Sequence, residues 1–467
     1  MQASCRRLQA DIHQGAQIYG VSRGFGPLAE FDASSDGNQQ GLGLIHHLAN
    51  GHGPALAPQA TADMLALRLL GMRRGFSAIS IEDWNCLASY QRAGFIPVVP
   101  SKGSVSASGD LIPLAHAALA LSGRGGAWKL GSDGSWGEVP ARDRLAELAL
   151  QPHQWQARSA LAFVNGTSAS LAVALGNARR IKQLAWSIAS LTGVIVGLLG
   201  CSSEPYEPGV VAARGGLKGH AIASAWIRSG VGVHTPGLQG RRLQEPYSLR
   251  CAPQIIGSVL DHLEATDCLL LQEAVGCSDN PVVMSNGILH AGNFHAINAG
   301  LTSDGHVLLA HQLGFLAERQ LALLLEPRLN GELPALLADR PGATSGLAGV
   351  QLAASAATAE IRQRSGPATV TALPTNLYNQ DIVPMSLVGA LRTTEAIDLV
   401  ERILGSLGVA VAQVAQRLRA ALHDRGRPAW WTDLIIECPL LREDRPLHVE
   451  VDRASALLRA VARREVG

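Results

Sequence analysis

"KGSVSASGDLIPLAH", residues 102–116, is the most informative stretch of this sequence because it sets Ser108 between two very small residues, Ala107 and Gly109. A nucleophile elbow requires glycine two positions before its serine, and Ser106 stands there instead. The usual pattern for a serine nucleophile therefore fails, and the stretch needs a different chemical interpretation.

The backbone of this stretch offers such an interpretation. Because Gly109 has no side chain, its amide nitrogen can approach the carbonyl carbon of Ala107 closely enough to close a five-membered ring. Loss of water from the ring and from Ser108 leaves a methylene group conjugated to a carbonyl, which is an electrophile. No ordinary side chain is electrophilic, so an enzyme that attacks an amine needs such a group or a cofactor. The alternative is that Ser108 is an ordinary turn residue.

The composition favours a large helical protein with a substantial core. The chain has 467 residues, of which 47% are hydrophobic, 16% charged and only 4% aromatic. The apolar residues are mainly Ala, Leu and Val, which favour close-packed helices. A net charge of +1 gives no global indication of nucleic-acid or membrane binding.

The seven cysteines are scattered and odd in number, without a CxxC pair. This pattern argues against a zinc site and a disulfide framework and favours a reducing cytoplasm. No signal peptide is visible at the N-terminus. The apolar stretch 183–203 is long enough to span a membrane, but its polar residues and glycines favour a helix buried in a bundle.

The pattern along the chain predicts two regions. Residues 1–200 form an N-terminal region of loops and short helices that carries the Ala-Ser-Gly stretch, with a turn-rich excursion or small hairpin at 121–143. Residues 201–467 form a long-helix bundle with a helical C-terminal tail, as one cooperative unit. Within it, one helical run ends at Pro327 and another long helix covers 386–422.

The motif GSVSASGDLIPLAH resembles the signature of the aromatic amino-acid lyases that depend on 4-methylidene-imidazol-5-one (MIO), a family that includes ammonia-lyases and 2,3-aminomutases acting on histidine, phenylalanine and tyrosine. Five further stretches resemble this family in the same order, from about residue 17 to about 420: IYGVSRGFGPLA, FVNGTSAS, EPYSLRCAPQIIG, SDNPVV with GNFHAINAG, and TNLYNQDIVPM. The resemblance implies a mostly α fold, a large elongated helical bundle of the ammonia-lyase (fumarase/aspartase-like) type.

The resemblance also implies the cofactor and the reaction. Ala107, Ser108 and Gly109 would cyclise to MIO without any metal, and ammonia would leave an α-amino acid to give a trans unsaturated acid. Tyr19 would be the base that takes the β-proton, which requires its pKa to be lowered from about 10 by dipoles and hydrogen bonds.

The remaining matched residues receive roles by the same resemblance. Arg250 would clamp the substrate carboxylate, since guanidinium binds carboxylate in a bidentate fork. Tyr247 would assist proton transfer near the amine, and Asn165 would hydrogen-bond the MIO ring or the carboxylate. Phe294 would pack beside the ring, while Asn280 and Asn293 are matched without an assigned role.

Two stretches bear on the substrate. In the segment that resembles the family's selectivity helix, His47 and Leu48 give the tyrosine-type pair, and an imidazole can hydrogen-bond the phenol hydroxyl. A site built for that bond disfavours phenylalanine, which leaves the polar group unpaired. The neutral pair Asn379 and Gln380 matches the phenylalanine and tyrosine branch and counts against histidine as substrate.

The leading interpretation is a cytoplasmic tyrosine ammonia-lyase that forms p-coumarate, a homotetramer with active sites shared between subunits. The alternatives are a tyrosine 2,3-aminomutase, a histidine or phenylalanine ammonia-lyase, and an inactive scaffold homologue. The scaffold alternative rests on a departure from the family pattern, Ser22-Arg23 in the tyrosine loop, and on the short segment before that loop.

Overall fold

The chain is described from a computed structural model, which covers residues 1–232, 243–418 and 428–467. It is mostly helical, as the composition predicted. In chain order, helices α1–α17 span Gln2–His13, Gly37–Leu48, Pro58–Arg73, Ile81–Arg92, Leu111–Leu121, Ala141–Glu147, Ala157–Val164, Ser168–Leu199, Pro208–Ala213, Lys218–Val231, Tyr247–Arg250, Ala252–Val275, Ile297–Leu325, Ala348–Arg364, Ser386–Arg417, Trp430–Glu437 and His448–Val466.

The strands are short and form three small antiparallel sheets. Strands β1–β7 span His52–Ala55, Ile96–Pro97, Pro100–Lys102, Gly126–Leu130, Trp136–Pro140, Val282–Met284 and Gly287–Leu289. Strand β1 pairs with β3, β2 with β4 and β4 with β5, and β6 with β7. The β4–β5 hairpin confirms the turn-rich excursion predicted for 121–143.

The described chain divides into two compact units that interleave along the sequence. The first unit holds Met1–Gly176, Asp267–Asp304 and Pro367–Leu391, and the second holds Asn177–Thr266, Gly305–Gly366 and Arg392–Gly467. This division differs from the predicted regions 1–200 and 201–467, which followed chain order. Helices α8, α12, α13 and α15 each contribute residues to both units, so the division cuts through helices rather than falling between them.

The second unit is built around a long-helix core. Leu313, Leu316 and Leu324 of α13 are buried, and the helix ends at Leu325, two residues before Pro327, where a proline stops the helix as predicted. Helix α15 ends at Arg417. Residues 419–422 of the helix predicted for 386–422 lie outside the described residues. The side chain of Trp431 in α16 is completely buried in this core.

The apolar stretch 183–203 falls mainly within α8. By length and composition this helix could cross a membrane, but 94% of its apolar window is buried inside the described chain. It is a core helix, as the sequence predicted, and is consistent with a soluble protein.

In the first unit, four helices begin close in sequence to the residues of the candidate site. Helix α5 begins at Leu111, directly after the Ala-Ser-Gly stretch, and α8 begins at Ser168 after a break at 165–167. Helices α13 and α15 begin at Ile297 and Ser386, after the loops 290–296 and 373–385. The first amides of a helix have no partner within that helix, so each start offers hydrogen-bond donors to neighbouring loops.

Candidate active site

The Ala-Ser-Gly stretch is a tight, buried turn. Ala107 and Gly109 pair with each other as an isolated bridge, and both are buried. Between them Ser108 is only half buried, and it lines a cavity of about 910 Å³. The turn therefore presents Ser108 and Gly109 to the cavity, whereas Ala107 is buried and does not line it.

Only glycine fits at position 109. Its φ of +69° lies in the left-handed region, and a Cβ there would collide with the backbone of Gly166. The next residue continues this close approach, because the Asp110 amide donates to the Gly166 carbonyl at 2.7 Å. The backbone of residues 109 and 110 is therefore packed directly against Gly166.

The carboxylate of Asp110 is the centre of a buried serine cluster that the sequence argument missed. Its Oδ1 accepts from the hydroxyls of Ser106 at 2.8 Å and Ser104 at 3.0 Å. Its Oδ2 accepts from the amide and the hydroxyl of Ser170, at 2.7 and 2.8 Å, which caps the first turn of α8. Burial raises the pKa of Asp110, and these four hydrogen bonds oppose that rise.

Two side chains assigned to the site contact Ser108 directly. The Nδ2 of Asn165 donates to the Ser108 carbonyl at 2.8 Å, and the Nε2 of Gln380 donates to the Ser108 hydroxyl at 2.9 Å. The Oδ1 of Asn165 is buried and has no partner within residues 1–232, 243–418 and 428–467. A buried polar atom without a partner is costly, so this oxygen is suited to a hydrogen bond from a further group in the cavity.

Tyr19 lines the same cavity. Its hydroxyl accepts a hydrogen bond from the Gly26 amide at 2.7 Å, and its ring meets Phe25 edge to face. Burial raises the pKa of Tyr19, and the bond from Gly26 only partly opposes this effect. Burial outweighs the single donor that reaches the hydroxyl, so these contacts within one chain do not supply the lowered pKa that the role of base requires.

The departure Ser22-Arg23 ties the tyrosine loop, residues 18–33, to itself. The Ser22 hydroxyl accepts from the Ile18 amide at 2.8 Å and donates to the Ala16 carbonyl at 2.9 Å. The guanidinium of Arg23 pairs with Asp32 at 2.6 Å and also donates to the carbonyls of residues 29 and 30. Both unusual residues therefore stabilise the loop that carries Tyr19.

His47 and Leu48 lie at the end of α2 and line the cavity. The Nδ1 of His47 lies 3.1 Å from the Gly43 carbonyl. Because a carbonyl only accepts, Nδ1 carries the proton in this contact, and the neutral ring then has an acceptor lone pair on Nε2. Adjacent His46 faces elsewhere and contacts Arg124, so only His47 of the two histidines lines the cavity.

Four other assigned residues are not among those that line this cavity. Asn379 is exposed, and its backbone amide donates to the backbone carbonyl of Asn376. Phe294 is half buried in the loop before α13. Tyr247 and Arg250 belong to the second unit, where the guanidinium lies 4.8 Å from the centre of the tyrosine ring. The Nε of Arg250 is buried and has no partner within the described residues.

The two family-matched asparagines without an assigned role make local bonds. The Oδ1 of Asn280 accepts from the Ala291 amide at 2.7 Å, and Nδ2 of Asn293 lies 3.4 Å from the Cys277 carbonyl. Within the parts of the chain that the structure describes, no group of three or more His, Cys, Asp or Glu side chains is arranged to hold a metal ion.

A buried arginine supports the turn that holds Asn165. The guanidinium of Arg68 donates through Nε and Nη2 to the Ala162 carbonyl and through Nη1 to the Ser278 hydroxyl at 3.3 Å. Nearby, Arg158 pairs with the buried Asp279 at 2.7 Å. No local sequence pattern identifies these partners, because they are separated by 94 to 210 positions along the chain.

Known proteins resemble this chain over nearly all of its length. A family model described as aromatic amino acid lyase matches residues 1–429. The chain is 36% identical to a tyrosine ammonia-lyase of Cereibacter sphaeroides, over 96% of this chain and 89% of that relative. The structure of a tyrosine aminomutase from Streptomyces globisporus matches with a TM-score of 0.89 and 27% identity, covering 99% of this chain and 91% of that one. A histidine ammonia-lyase from Trypanosoma cruzi matches with a TM-score of 0.86 and 25% identity, covering 99% of this chain and 87% of that one.

Proposed function

The chain belongs to the aromatic amino acid lyase family and is a carbon–nitrogen lyase, and from this premise we propose that it removes ammonia from L-tyrosine to give trans-p-coumarate. The observation that carries the proposal is that Ser108, Tyr19 and His47 line one cavity. The first supplies the electrophile, the second the base and the third the selector for a phenol.

We propose that residues 107–109 form 4-methylidene-imidazol-5-one, and the surroundings of the turn fit this group. Gly109 lies where any Cβ is excluded, and Asn165 already donates to the Ser108 carbonyl while keeping a buried, unpartnered oxygen. Once formed, the group supplies an electrophilic carbon, which no ordinary side chain offers. Gln380 holds the Ser108 hydroxyl, which must leave as water when the group forms.

Tyr19 is the proposed base for the β-proton. A neutral phenol cannot accept this proton, so its pKa must fall when the site is complete. We propose that the chain works as a homotetramer in which active sites are shared between subunits, as the family resemblance implies. Arg250 would then bind the substrate carboxylate, Tyr247 would assist proton transfer, and Phe294 and Asn379 would complete the enclosure.

The selectivity for tyrosine rests on His47. With its Nδ1 proton directed to Gly43, the ring offers Nε2 as an acceptor for the phenol hydroxyl of the substrate. Phenylalanine would bring no donor and would leave that nitrogen unpaired after desolvation. Leu48, half buried at the same cavity, supplies apolar contact for the ring.

A tyrosine 2,3-aminomutase is the second candidate. It is favoured by the similarity in fold to a tyrosine aminomutase and by the bonds of Arg23, which hold the tyrosine loop together. A well-held loop would retain ammonia long enough for it to add back at the β-carbon.

The cytoplasm is the proposed compartment for either activity, in keeping with the seven free cysteines.

The test is absorbance spectroscopy of the purified protein with L-tyrosine, L-phenylalanine and L-histidine in separate reactions, with Ser108→Ala as the matched control. A p-coumarate band that grows fastest with tyrosine, with one ammonia released for each product, supports the proposal. Cinnamate forming faster would overturn the assignment of tyrosine. Accumulation of β-tyrosine without net ammonia release would identify the aminomutase instead.

A further inference from the structure

We propose that Ser106 is a positioning residue for formation of the prosthetic group: its hydroxyl joins two helix starts and thereby holds the Ala107–Gly109 turn in the shape that cyclises. This inference rests on the proposed function, since it concerns how that group arises. Ser106 touches none of the reacting atoms, so its action is indirect.

The backbone of Ser106 makes its identity unusual. Its φ of +58° lies in the left-handed region, where glycine is favoured and a residue with a Cβ is strained. The residue is completely buried, so the strain is not relieved by movement into solvent. A serine at such a position calls for a role of its side chain.

The hydroxyl of Ser106 has that role. It donates to Oδ1 of Asp110 at 2.8 Å and accepts from the Leu387 amide at 3.1 Å. Leu387 is in the first turn of α15, so its amide has no partner within the helix. Through its other oxygen, Asp110 receives the Ser170 amide of α8. The hydroxyl therefore joins the starts of α15 and α8 through a single carboxylate.

The backbone of Ser106 adds two further restraints. Its amide donates to the Ser104 hydroxyl at 3.1 Å, and its carbonyl accepts from the Ala296 amide at 3.3 Å, just before α13. One residue before the turn, the carbonyl of Val105 accepts from the Met385 amide at 3.1 Å. The segment that enters the turn is thus fixed from two sides.

Ring closure depends on that fixed entry. The nitrogen of Gly109 must form a bond to the carbonyl carbon of Ala107. The carbonyl oxygen then leaves as one water with the amide hydrogens of Gly109 and Ser108, and the Ser108 hydroxyl leaves as a second water with the Cα hydrogen. No oxidant or other reactant is needed. Because the attack is intramolecular, its rate depends on the distance and angle between nitrogen and carbon, which Ser106 controls from one residue away.

The experiment follows loss of two waters by mass spectrometry of the peptide that contains residues 107–109, as a time course after cell-free synthesis. The variants are Ser106→Ala, which removes the hydroxyl and keeps the Cβ, and Ser106→Gly, which removes the hydroxyl and relieves the strain. Ser303→Ala is the matched control, since it removes another buried hydroxyl of the first unit, which bonds the Ala299 carbonyl. Thermal unfolding of each variant is measured in parallel.

We expect both Ser106 variants to lose the two waters at least about ten-fold more slowly than the wild type, and Ser303→Ala to match the wild type. Slow maturation of Ser106→Gly would be decisive, because that variant carries no backbone strain. Maturation of either Ser106 variant at the wild-type rate would overturn the role of Ser106, as would equal slowing in Ser303→Ala. A wild-type chain that never loses water would instead overturn the proposed function, and this role with it.

Discussion

The turn at residues 104–110 and the tyrosine loop at 18–33 line the same cavity but are held in opposite ways. The turn is bonded to three other segments of the first unit, through Gly166 and Ser170, through Ala296 and through Leu387. The tyrosine loop is bonded mostly to itself, and Phe31 in it is 65% exposed.

The difference separates two chemical tasks. An electrophile made from backbone must be preorganised, so its precursor is buried and its hydrogen bonds are satisfied by distant residues. A base that must admit substrate and then close over it suits a loop with few outside bonds, and such loops are the parts of a protein that open most easily. The following changes test this division, from the largest expected effect to the smallest.

Replacing Ser108 by alanine should have the largest effect. Without the hydroxyl no methylidene can form, and we expect turnover of tyrosine to fall by at least about 10³-fold, as for loss of a covalent catalyst. The check is release of p-coumarate under substrate saturation. Retention of more than a few per cent of the wild-type rate, with correct folding verified by circular dichroism, would contradict the account.

Replacing Tyr19 by phenylalanine should reduce the rate by about 10²- to 10⁴-fold, the range for a general base. Burial raises the pKa of Tyr19 within one chain and the assembled site must lower it, but in either case the fraction of phenolate grows as pH rises. We therefore expect kcat/KM of the wild type to increase with pH through the alkaline range, and Tyr19→Phe to lose this increase. Unlike Ser108→Ala, this variant should still lose two waters at the turn. The same pH profile in both proteins would rule out Tyr19 as the base.

His47→Phe should change selectivity more than rate. Removing the acceptor for the phenol hydroxyl should lower the ratio of kcat/KM for tyrosine to that for phenylalanine by at least about ten-fold. His46→Phe is the control, because His46 is exposed and contacts Arg124 instead. An unchanged ratio in His47→Phe would show that another residue selects the substrate.

Changes at the ion pair of the tyrosine loop should be smallest. Asp32 is 89% exposed on its side chain, and such surface pairs contribute about 0–1 kcal/mol, so Asp32→Ala should change kcat/KM by less than about two-fold. Arg23→Ala also loses bonds to two loop carbonyls and should reduce kcat/KM about three- to ten-fold. Formation of the prosthetic group should proceed normally in both, and its failure in either would remove the distinction between turn and loop.

The sequence predicted the parts of the site that lie in continuous motifs. The turn at 107–109, Tyr19 with its loop, and His47 with Leu48 are each read from a few neighbouring residues, and the structure brings them to one cavity. The mostly helical fold and the hairpin at 126–140 also followed from local patterns.

The remaining features depend on contacts between distant segments. The serines around Asp110 include Ser170, 60 positions away, and Arg68 reaches the Ala162 carbonyl across 94 positions. The direction of the pKa shift of Tyr19 depends on how deeply the fold buries its ring, which no motif encodes. The interleaved units arise because the chain returns to the first unit twice, at 267–304 and 367–391.

The most direct test of the central claim is the mass of the peptide that contains residues 107–109, isolated from active wild-type protein and from Ser108→Ala. We expect the wild-type peptide to be lighter than its sequence by two water molecules, and the Ser108→Ala peptide, which has no hydroxyl to lose, to be lighter by at most one. A wild-type peptide of unaltered mass, in protein that still releases p-coumarate from tyrosine, would show that the turn is not the electrophile and would contradict the account.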